Sequence, residues 1–368
     1  MDRTGARDVS IGQATNWSRL RGHNAQREHF EGILAAGRLG HAYLLVGPEG
    51  VGKLAFARCL AACLLCPRTD DSTLEACGEC QSCKQIAAGS HPDLLEVGLP
   101  EGKNVVPISV LVGDGESRGR AGLCYDLSLS PMESDRRVAI LDDADHLERD
   151  GYSALLKTLE EPPARSVMIL VAGSEADIRD TIRSRCQLIR FSSLPTTDVA
   201  DLLIEIGATD NRTEADEAAG LADGSVATAA LMLDPNMRTL RETLYRHLAR
   251  SPMDPLKMTE EVVAAWESLG SDSHSKRVNA TWVARFAIEF YRSVLRVLAG
   301  ADETSKIPEA ASLCSQLAAG DPATLDRIGS MLDRCLDAER DPMANVMLPL
   351  ALEAFFDDLA RRSRIGTD

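Results

Sequence analysis

A strand, a glycine-rich loop and a helix follow one another between residues 41 and 65, and this order constrains the fold most. Residues 41–46 form a short apolar run typical of a buried strand. Residues 47–54 read Gly-Pro-Glu-Gly-Val-Gly-Lys-Leu, and a helical pattern continues to residue 65. Glycines at such a junction let backbone N–H groups turn inward on phosphates. The segment predicts a phosphate-binding loop (P-loop), with a glycine-rich turn that holds no ligand as the plainer alternative.

The residues that this loop would offer to a nucleotide are Gly47, Gly50, Gly52 and Lys53. Leu54 stands where such loops place a serine or threonine hydroxyl on Mg²⁺. Because a leucine cannot ligate a metal, we expect magnesium-assisted hydrolysis to be weakened. ATP or ADP could still bind through the loop backbone and Lys53.

Two adjacent carboxylates follow the apolar run at residues 137–141. Carboxylates at the end of a strand that faces a phosphate loop can hold Mg²⁺ and orient the attacking water. We assign the metal role to Asp142. Asp143 is the weaker candidate, as a catalytic base, because its side chain is one methylene shorter than that of glutamate. Both acids could instead form a turn and cap the next helix.

Apolar runs and helical patterns alternate along the first half of the chain, which is typical of a parallel α/β sheet. Five runs are predicted strands: residues 41–46, 94–97, 137–141, 167–172 and 187–191. Beyond residue 195 the patterns are helical only, first short and then longer and amphipathic, as at residues 282–298 and 344–362. We predict a P-loop α/β domain over 1–192, a small helical domain over 193–240 and an all-α C-terminal domain over 241–368.

Four of the ten cysteines have spacing typical of a metal site: Cys66, Cys77, Cys80 and Cys83. Four thiolates within so short a span can converge on one tetrahedral Zn²⁺. The pattern has no histidine and no open position, so we expect a structural zinc module at residues 66–83, inserted in the α/β domain. Residues 70–72 give the intervening loop polarity and slack. The other cysteines are expected to pack in the core.

Charge and hydropathy exclude several classes of protein. The 40 basic and 56 acidic residues give a net charge of −16, which argues against a protein that coats nucleic acid by charge alone. No apolar run reaches the length of a membrane span, and residues 1–13 lack the apolar core of a signal peptide. We therefore expect a cytoplasmic protein with no membrane contact.

Two further runs carry a family resemblance. Residues 154–163 read Ala-Leu-Leu-Lys-Thr-Leu-Glu-Glu-Pro-Pro, and residues 182–186 read Ile-Arg-Ser-Arg-Cys. With the loop, the cysteine module and the strand that ends at the paired acids, they resemble bacterial clamp-loader subunits of the AAA+ class. The resemblance covers residues 22 to about 233. It implies that the small helical domain is a lid and that the C-terminal helices join an oligomeric collar, although their apolar stripes could equally form that domain's own core.

The resemblance also implies a stationary rather than a motor subunit. Motor subunits (gamma/tau) of this family keep a hydroxyl residue after the loop lysine, a glutamate in the acid pair and an arginine in the lid. This chain has Leu54, Asp143 and Ala227 at those positions. We expect the isolated chain to hydrolyse ATP poorly. We expect it to act as a subunit of a DNA polymerase III holoenzyme. The implied partners are the gamma/tau and delta subunits and, through the complex, the sliding clamp and primed DNA.

Arg185 acquires a role through the same resemblance. In AAA+ rings such an arginine projects towards the γ-phosphate bound by a neighbouring subunit, where it neutralises charge in the transition state. Arg183 and Arg185 could also be ordinary exposed bases before a strand. Residues 157–161 are interpreted as a helix face, with a supporting role near the subunit interface as the alternative.

Two other functions compete with the stationary clamp-loader subunit. One is an ATP-hydrolysing AAA+ motor, for which the loop and Lys53 are the supporting features. The other is a nucleic-acid binder built on the cysteine module. The net charge opposes the second, because the cysteine loop is itself rich in acids and has only Arg68 and Lys84 as basic residues.

Overall fold

The computed structural model describes residues 16–69, 74–100, 103, 105–269, 273–340 and 348–364. The apolar runs form one sheet of five strands, with β1 (Ala42–Val46), β2 (Leu94–Val97), β3 (Arg137–Leu141), β4 (Ser166–Ala172) and β5 (Gln187–Arg190). The strand order is β2-β3-β4-β1-β5, and each neighbouring pair is parallel. The predicted parallel α/β sheet is therefore confirmed.

Both faces of the sheet are covered, as the continuous apolar strands require. Tyr43 and Leu45 point into a core formed with α1 (Asn24–Ala35) and α2 (Lys53–Leu65). Leu44 and Val46 point into a second core on the other face, with α6 (Arg149–Glu160). This alternation follows from the two-residue period of a strand. The sheet thereby holds its carboxyl edge rigid, and the phosphate loop and the paired acids follow strands at that edge.

Three short helices lie in the connections between these elements: α3 (Gln81–Ala87), α4 (Ile108–Val112) and α5 (Leu123–Ser128). Glycines separate α4 from α5. A Cβ on Gly122, whose φ is +91°, would stand 2.7 Å from the Leu111 carbonyl carbon and the Gly113 nitrogen. The chain therefore closes on itself too tightly for a side chain at this point. The glycines keep α4 and α5 as two short helices.

The segment before β3 is fixed by one buried carboxylate. Asp93 is completely buried and accepts hydrogen bonds from the backbone N–H groups of Met132, Glu133 and Ser134 at 2.7–2.8 Å. Arg137 Nε lies 3.5 Å from the same carboxylate. Because a buried charge is tolerated only with such partners, Asp93 holds the loop to the start of β2.

The α/β region continues through α7 (Asp180–Arg183) into three helices: α8 (Thr196–Glu205), α9 (Arg212–Gly220) and α10 (Val226–Met232). Side chains cap two of them, Asn211 at α9 and Ser225 at α10. These helices match the short helical patterns predicted beyond residue 195. They belong to the same compact unit as the sheet, a unit that ends at Leu233.

The second compact unit starts at Asp234 and is helical. Its helices are α11 (Pro235–Leu248), α12 (Pro255–Glu267), α13 (Ser273–Leu298), α14 (Pro308–Gln316), α15 (Pro322–Arg340) and α16 (Leu348–Arg364). The pattern at 282–298 lies in α13, and that at 344–362 lies in α16 apart from residues 344–347, which fall outside the described residues. The predicted division into three domains stays a prediction.

The apolar stripes of the C-terminal unit are buried within it. Phe290 and Val294 of α13 and Phe355 and Phe356 of α16 are fully buried. α13 contacts α15, and α15 contacts α16. The stripes thus form the core of their own unit. None of the helices in the described part of the chain is long and apolar enough to cross a membrane.

Candidate functional site

The glycine-rich loop joins the end of β1 to the start of α2. Gly52 caps α2 with a left-handed φ of +100°, and Gly50 has a φ of +73°. A Cβ on Gly47 would stand 2.3 Å from the Phe191 carbonyl oxygen, so only glycine fits beside the end of β5. The loop therefore has the strand-to-helix geometry in which backbone N–H groups bind phosphate.

Lys53 is folded back onto this loop. Its Nζ donates to the carbonyl oxygens of Gly47 at 2.7 Å and Pro48 at 2.6 Å, and the residue is buried. Burial lowers the pKa of Lys53, although Asp142 and Glu49 act in the opposite direction. The ammonium group thus donates two of its three hydrogens to carbonyls of its own loop.

The first turn of α10 lies against the tip of the loop. The Gly50 carbonyl accepts a hydrogen bond of 3.0 Å from the Val226 N–H. A Cβ on Gly50 would stand 2.2 Å from Ser225 Oγ and 2.9 Å from Ala227 Cβ. Ala227, the position compared above with a lid arginine, therefore places a methyl group beside the loop.

A second contact ties α8 to the segment before α1. Arg21 Nη1 lies 2.9 Å from Asp201 Oδ2, and the same guanidinium also pairs with Glu205. Between this ion pair and the loop lies a cavity of about 20 Å³. It is lined by Leu20, Arg21, Gly50, Val51, Gly52, Leu194, Leu202 and Val226. Ligand pockets are typically about 300–1,000 Å³, so this space is too small for a nucleotide base.

The paired acids lie at the same edge of the sheet as the loop. Asp142 Oδ1 accepts the Asp143 N–H at 3.0 Å, and Asp143 Oδ2 accepts the Leu99 N–H at 3.4 Å. Asp143 has a left-handed φ of +54° and precedes a single 3₁₀ turn. The Asp142 carboxylate thus accepts a hydrogen bond within the turn, as the turn alternative predicts, whereas the Asp143 carboxylate accepts one from Leu99 and makes no side-chain cap on the 3₁₀ turn. Neither contact excludes a metal role.

A third acid in this run was missed by sequence reasoning. Asp145 Oδ2 accepts the Gly173 N–H at 2.6 Å, and its Oδ1 lies 3.3 Å from His146 Nδ1. Burial would raise the pKa of Asp145, but the hydrogen bonds from His146 and Gly173 outweigh it and hold the pKa below its usual value. Asp145 therefore joins the ends of β3 and β4 as a charged group. The sequence feature that could have identified Asp145 is its position in the same acidic run as Asp142 and Asp143.

Arg185 lies in the turn between α7 and β5. Its Nη1 donates to the Thr181 carbonyl at 2.9 Å and to Ser184 Oγ at 3.3 Å. Its Nη2 donates to Glu160 Oε1 at 2.6 Å. About a third of the Arg185 side chain, 36%, is exposed. Among the described residues, these hydrogen bonds go to neighbouring helices and not to the phosphate loop or the acids.

The four cysteine sulfurs converge, with all four Sγ atoms within 4.8 Å of one another. Cys66 Sγ and Cys80 Sγ are 3.8 Å apart, and Cys77 Sγ and Cys83 Sγ are 4.0 Å apart. Tetrahedral zinc with Zn–S bonds of about 2.3 Å requires S···S distances of about 3.8 Å. The donor set and its geometry therefore fit one tetrahedral metal ion.

Helix ends position these thiols. Cys66 follows the last residue of α2, and Cys80 caps α3, where its Sγ accepts the Cys83 N–H at 3.4 Å. The Cys77 Sγ accepts the Cys80 N–H at the same distance. Burial raises the pKa of Cys66, but hydrogen bonds, first that of the Cys77 N–H, outweigh it and lower the pKa to about 6. Residues 70–72, expected to give the loop slack, lie outside the described residues.

His91 supports this module from behind. Its Nδ1 accepts the Asp93 N–H, and its Nε2 lies 2.8 Å from Ser82 Oγ, which donates to the Leu65 carbonyl. His91 is therefore a turn residue that joins α2, α3 and β2, and it is not among the four clustered ligands.

The remaining cysteines are separate from the cluster. Cys59 and Cys63 lie on α2 and are buried in the core, where Trp17 Nε1 donates to Cys63 Sγ at 3.3 Å. Burial raises the pKa of Cys63 to about 11 and that of Cys186 to about 12. These thiols stay protonated at neutral pH, which suits packing rather than ligation.

Comparison with known proteins decides the family. A sequence-family model described as DNA polymerase III, delta subunit matches residues 22–195. DNA polymerase III subunit delta' of Pseudomonas aeruginosa is 30% identical over 255 residues, which cover 67% of this chain and 70% of that protein. The chain belongs to the DNA polymerase III delta' family.

Two further relatives widen this picture. DNA polymerase III subunit delta' of Bacillus subtilis is 34% identical over 168 residues, 46% of this chain and 47% of that protein. DNA polymerase III subunit tau/gamma of Haemophilus influenzae is 32% identical over 216 residues, 56% of this chain and 29% of that protein. The matched segment thus spans less than half of these two relatives.

Proposed function

We propose that this chain is a stationary, delta'-like subunit of the DNA polymerase III clamp loader, which loads the sliding clamp on primed DNA in an ATP-dependent reaction. The carrying observation is the closed phosphate loop. Lys53 binds carbonyls of the loop, and the loop tip is hydrogen-bonded to Val226. With Leu54 in place of a hydroxyl ligand for Mg²⁺, the chain contributes little hydrolysis of its own.

The nucleotide-site residues keep a secondary role in this proposal. Gly47, Gly50, Gly52 and Lys53 retain the loop, and Asp142 offers a carboxylate at the same sheet edge. ATP or ADP would bind through the N–H groups of the loop and Lys53. Asp143, whose carboxylate accepts the Leu99 N–H, is a poor base.

Arg185 would supply the chain's contribution to chemistry. We assign it as an arginine finger given in trans to a neighbouring gamma/tau subunit, where the guanidinium would neutralise charge on the transferring phosphoryl group. Its exposed fraction and its position in a turn fixed between α7 and β5 support this assignment. An arginine of this kind changes hydrolysis rates by about 10³-fold or more.

Zinc is the metal that we propose for the four thiols. Cys66, Cys77, Cys80 and Cys83 would complete a closed tetrahedral site, which leaves no position for water or substrate. The ion would therefore be structural, and it would fix the end of α2 to the start of α3. Helices α8–α10 would form the lid. The C-terminal unit would join the collar that assembles with gamma/tau and delta subunits.

The decisive experiment removes the finger in a reconstituted clamp loader. Arg185→Ala should leave assembly with gamma/tau and delta subunits intact, while ATP hydrolysis by the complex falls at least tenfold at the affected site. Arg183→Ala is the matched control in the same turn. Unchanged hydrolysis in the Arg185→Ala complex would remove the role in trans.

The alternative is an active gamma/tau-like motor. The intact glycine positions and Lys53 favour it. Turnover by the isolated, zinc-loaded chain separates the two functions. Strong magnesium-dependent hydrolysis that Lys53→Ala abolishes would establish the motor and overturn the stationary subunit.

A further inference from the structure

Glu160 and Arg185 come from separate elements and meet in an ion pair. Glu160 is the last residue of α6, and its Oε1 lies 2.6 Å from Arg185 Nη2. The neighbouring Leu159 is buried in the core, so the end of the helix is anchored. The carboxylate is therefore presented to the guanidinium from a fixed backbone.

Three acceptors occupy the two terminal nitrogens of Arg185. The Thr181 carbonyl and Ser184 Oγ accept hydrogen bonds from Nη1, and Glu160 accepts one from Nη2. A phosphate binds an arginine best through two parallel N–H···O bonds, from two nitrogens of the fork. Such binding through the terminal pair must displace at least one of these acceptors. Glu160 is the only charged group among them.

We propose that Glu160 is a positioning residue that keeps the Arg185 side chain in its observed conformation. It competes for the guanidinium with the phosphate of a nucleotide bound by a neighbouring subunit. This inference rests on the proposed role of Arg185 in trans. The carboxylate keeps the guanidinium folded against α6 until a more highly charged triphosphate replaces it. Residues 157–161 are interpreted from sequence as a helix face. In this proposal one of them, Glu160, influences hydrolysis through Arg185.

The exposure of the pair suits an exchangeable contact. The side chains of Arg185 and Glu160 are 36% and 52% exposed. Ion pairs in such positions are weak, because water and salt screen them. A buried pair would trap the arginine, whereas this one can be exchanged for a phosphate at little cost.

The test compares Glu160→Gln with Glu161→Gln in the reconstituted complex. Glutamine keeps an oxygen that can accept the Nη2 hydrogen and removes only the charge. We expect the ATP concentration for half-maximal hydrolysis to fall about two- to fivefold with Glu160→Gln, and the maximal rate to stay unchanged. Glu161 is exposed and carries the matched charge one residue further along, so Glu161→Gln should change neither quantity.

A second readout follows the pair without any hydrolysis. Phenylglyoxal modifies exposed guanidinium groups, and mass spectrometry gives the rate at Arg185 in the purified full chain. Glu160→Gln should raise this rate about two- to fivefold relative to Glu161→Gln. An equal modification rate in both variants would overturn the proposal that the Glu160 carboxylate restrains Arg185.

The Arg185→Ala background separates the two proposals. If Arg185→Ala lowers hydrolysis and Glu160→Gln has no further effect in that background, Glu160 acts through the finger. If Arg185→Ala changes nothing, the role in trans fails and the competition fails with it. Two results would overturn only the competition when Arg185→Ala lowers hydrolysis. One is the same ATP concentration for half-maximal hydrolysis in Glu160→Gln and Glu161→Gln, and the other is a lower maximal rate in Glu160→Gln.

Discussion

The carbonyl oxygen of Gly50 accepts a hydrogen bond of 3.0 Å from the N–H of Val226, the first residue of α10. An orphan donor at a helix N-terminus is thus satisfied by the tip of a phosphate loop. The bond joins residues far apart in the chain, and it holds the first turn of α10 against the tip of the loop.

Gly50→Ala should destabilise the α/β unit more than an alanine substitution at a glycine that has the same positive φ but open space around the added Cβ. The φ of +73° disfavours alanine, and the added methyl would stand 2.2 Å from Ser225 Oγ. Gly207→Ala is the matched control, since Gly207 also has a φ of +73° but nothing within 4 Å of an added Cβ. We expect Gly207→Ala to cost about 1–2 kcal/mol and Gly50→Ala about 1–3 kcal/mol more. Denaturant unfolding measures the difference, and equal losses would contradict the close contact.

Cys80→Ser should release the metal. Wild-type protein purified without chelator is expected to contain about one zinc per chain, and the variant close to none, because three thiolates leave the tetrahedral site incomplete. The end of α2 and the start of α3 should then lose their common anchor, and the melting temperature should fall. Cys314→Ser, a substitution in the other compact unit, is the control and should keep its zinc. Equal metal content in both variants would argue against the four-cysteine site.

Local sequence patterns were sufficient for the sheet and for the metal cluster. Each strand is a short apolar run with a turn signal after it, and the spacing of Cys77, Cys80 and Cys83 brings three thiols to one helix end. Both features depend on residues close in the chain.

The long-range contacts were not predictable from these patterns. Arg21 pairs with Asp201 across 180 residues, and Arg185 pairs with Glu160 across 25. The chain has 56 acids, and the sequence gives no sign of which one meets a given arginine. The same holds for Gly50 and Val226, because a backbone hydrogen bond leaves no mark in the side chains. These contacts fix the tip of the glycine-rich loop and the side chain of Arg185.

The buried carboxylate of Asp93 should make stability depend on pH in acid. Burial raises the pKa of Asp93, but the N–H groups of residues 132–134 and then Arg137 outweigh it, so the pKa lies below its usual value. A carboxyl with a lowered pKa in the folded state stabilises the protein above its unfolded value of about 3.9, and this contribution disappears as the pH falls through the folded value.

Asp93→Asn tests this directly, because asparagine does not titrate and turns an amide NH₂ towards N–H donors. We expect a loss of about 2–4 kcal/mol at neutral pH, constant down to about pH 4 and smaller below it. Asp135→Asn, at an exposed position in the same segment, should cost less than about 0.5 kcal/mol throughout. Urea unfolding at a series of pH values gives both curves. A loss for Asp93→Asn that stays the same below pH 4 would mean that the charge of Asp93 does not hold the segment before β3.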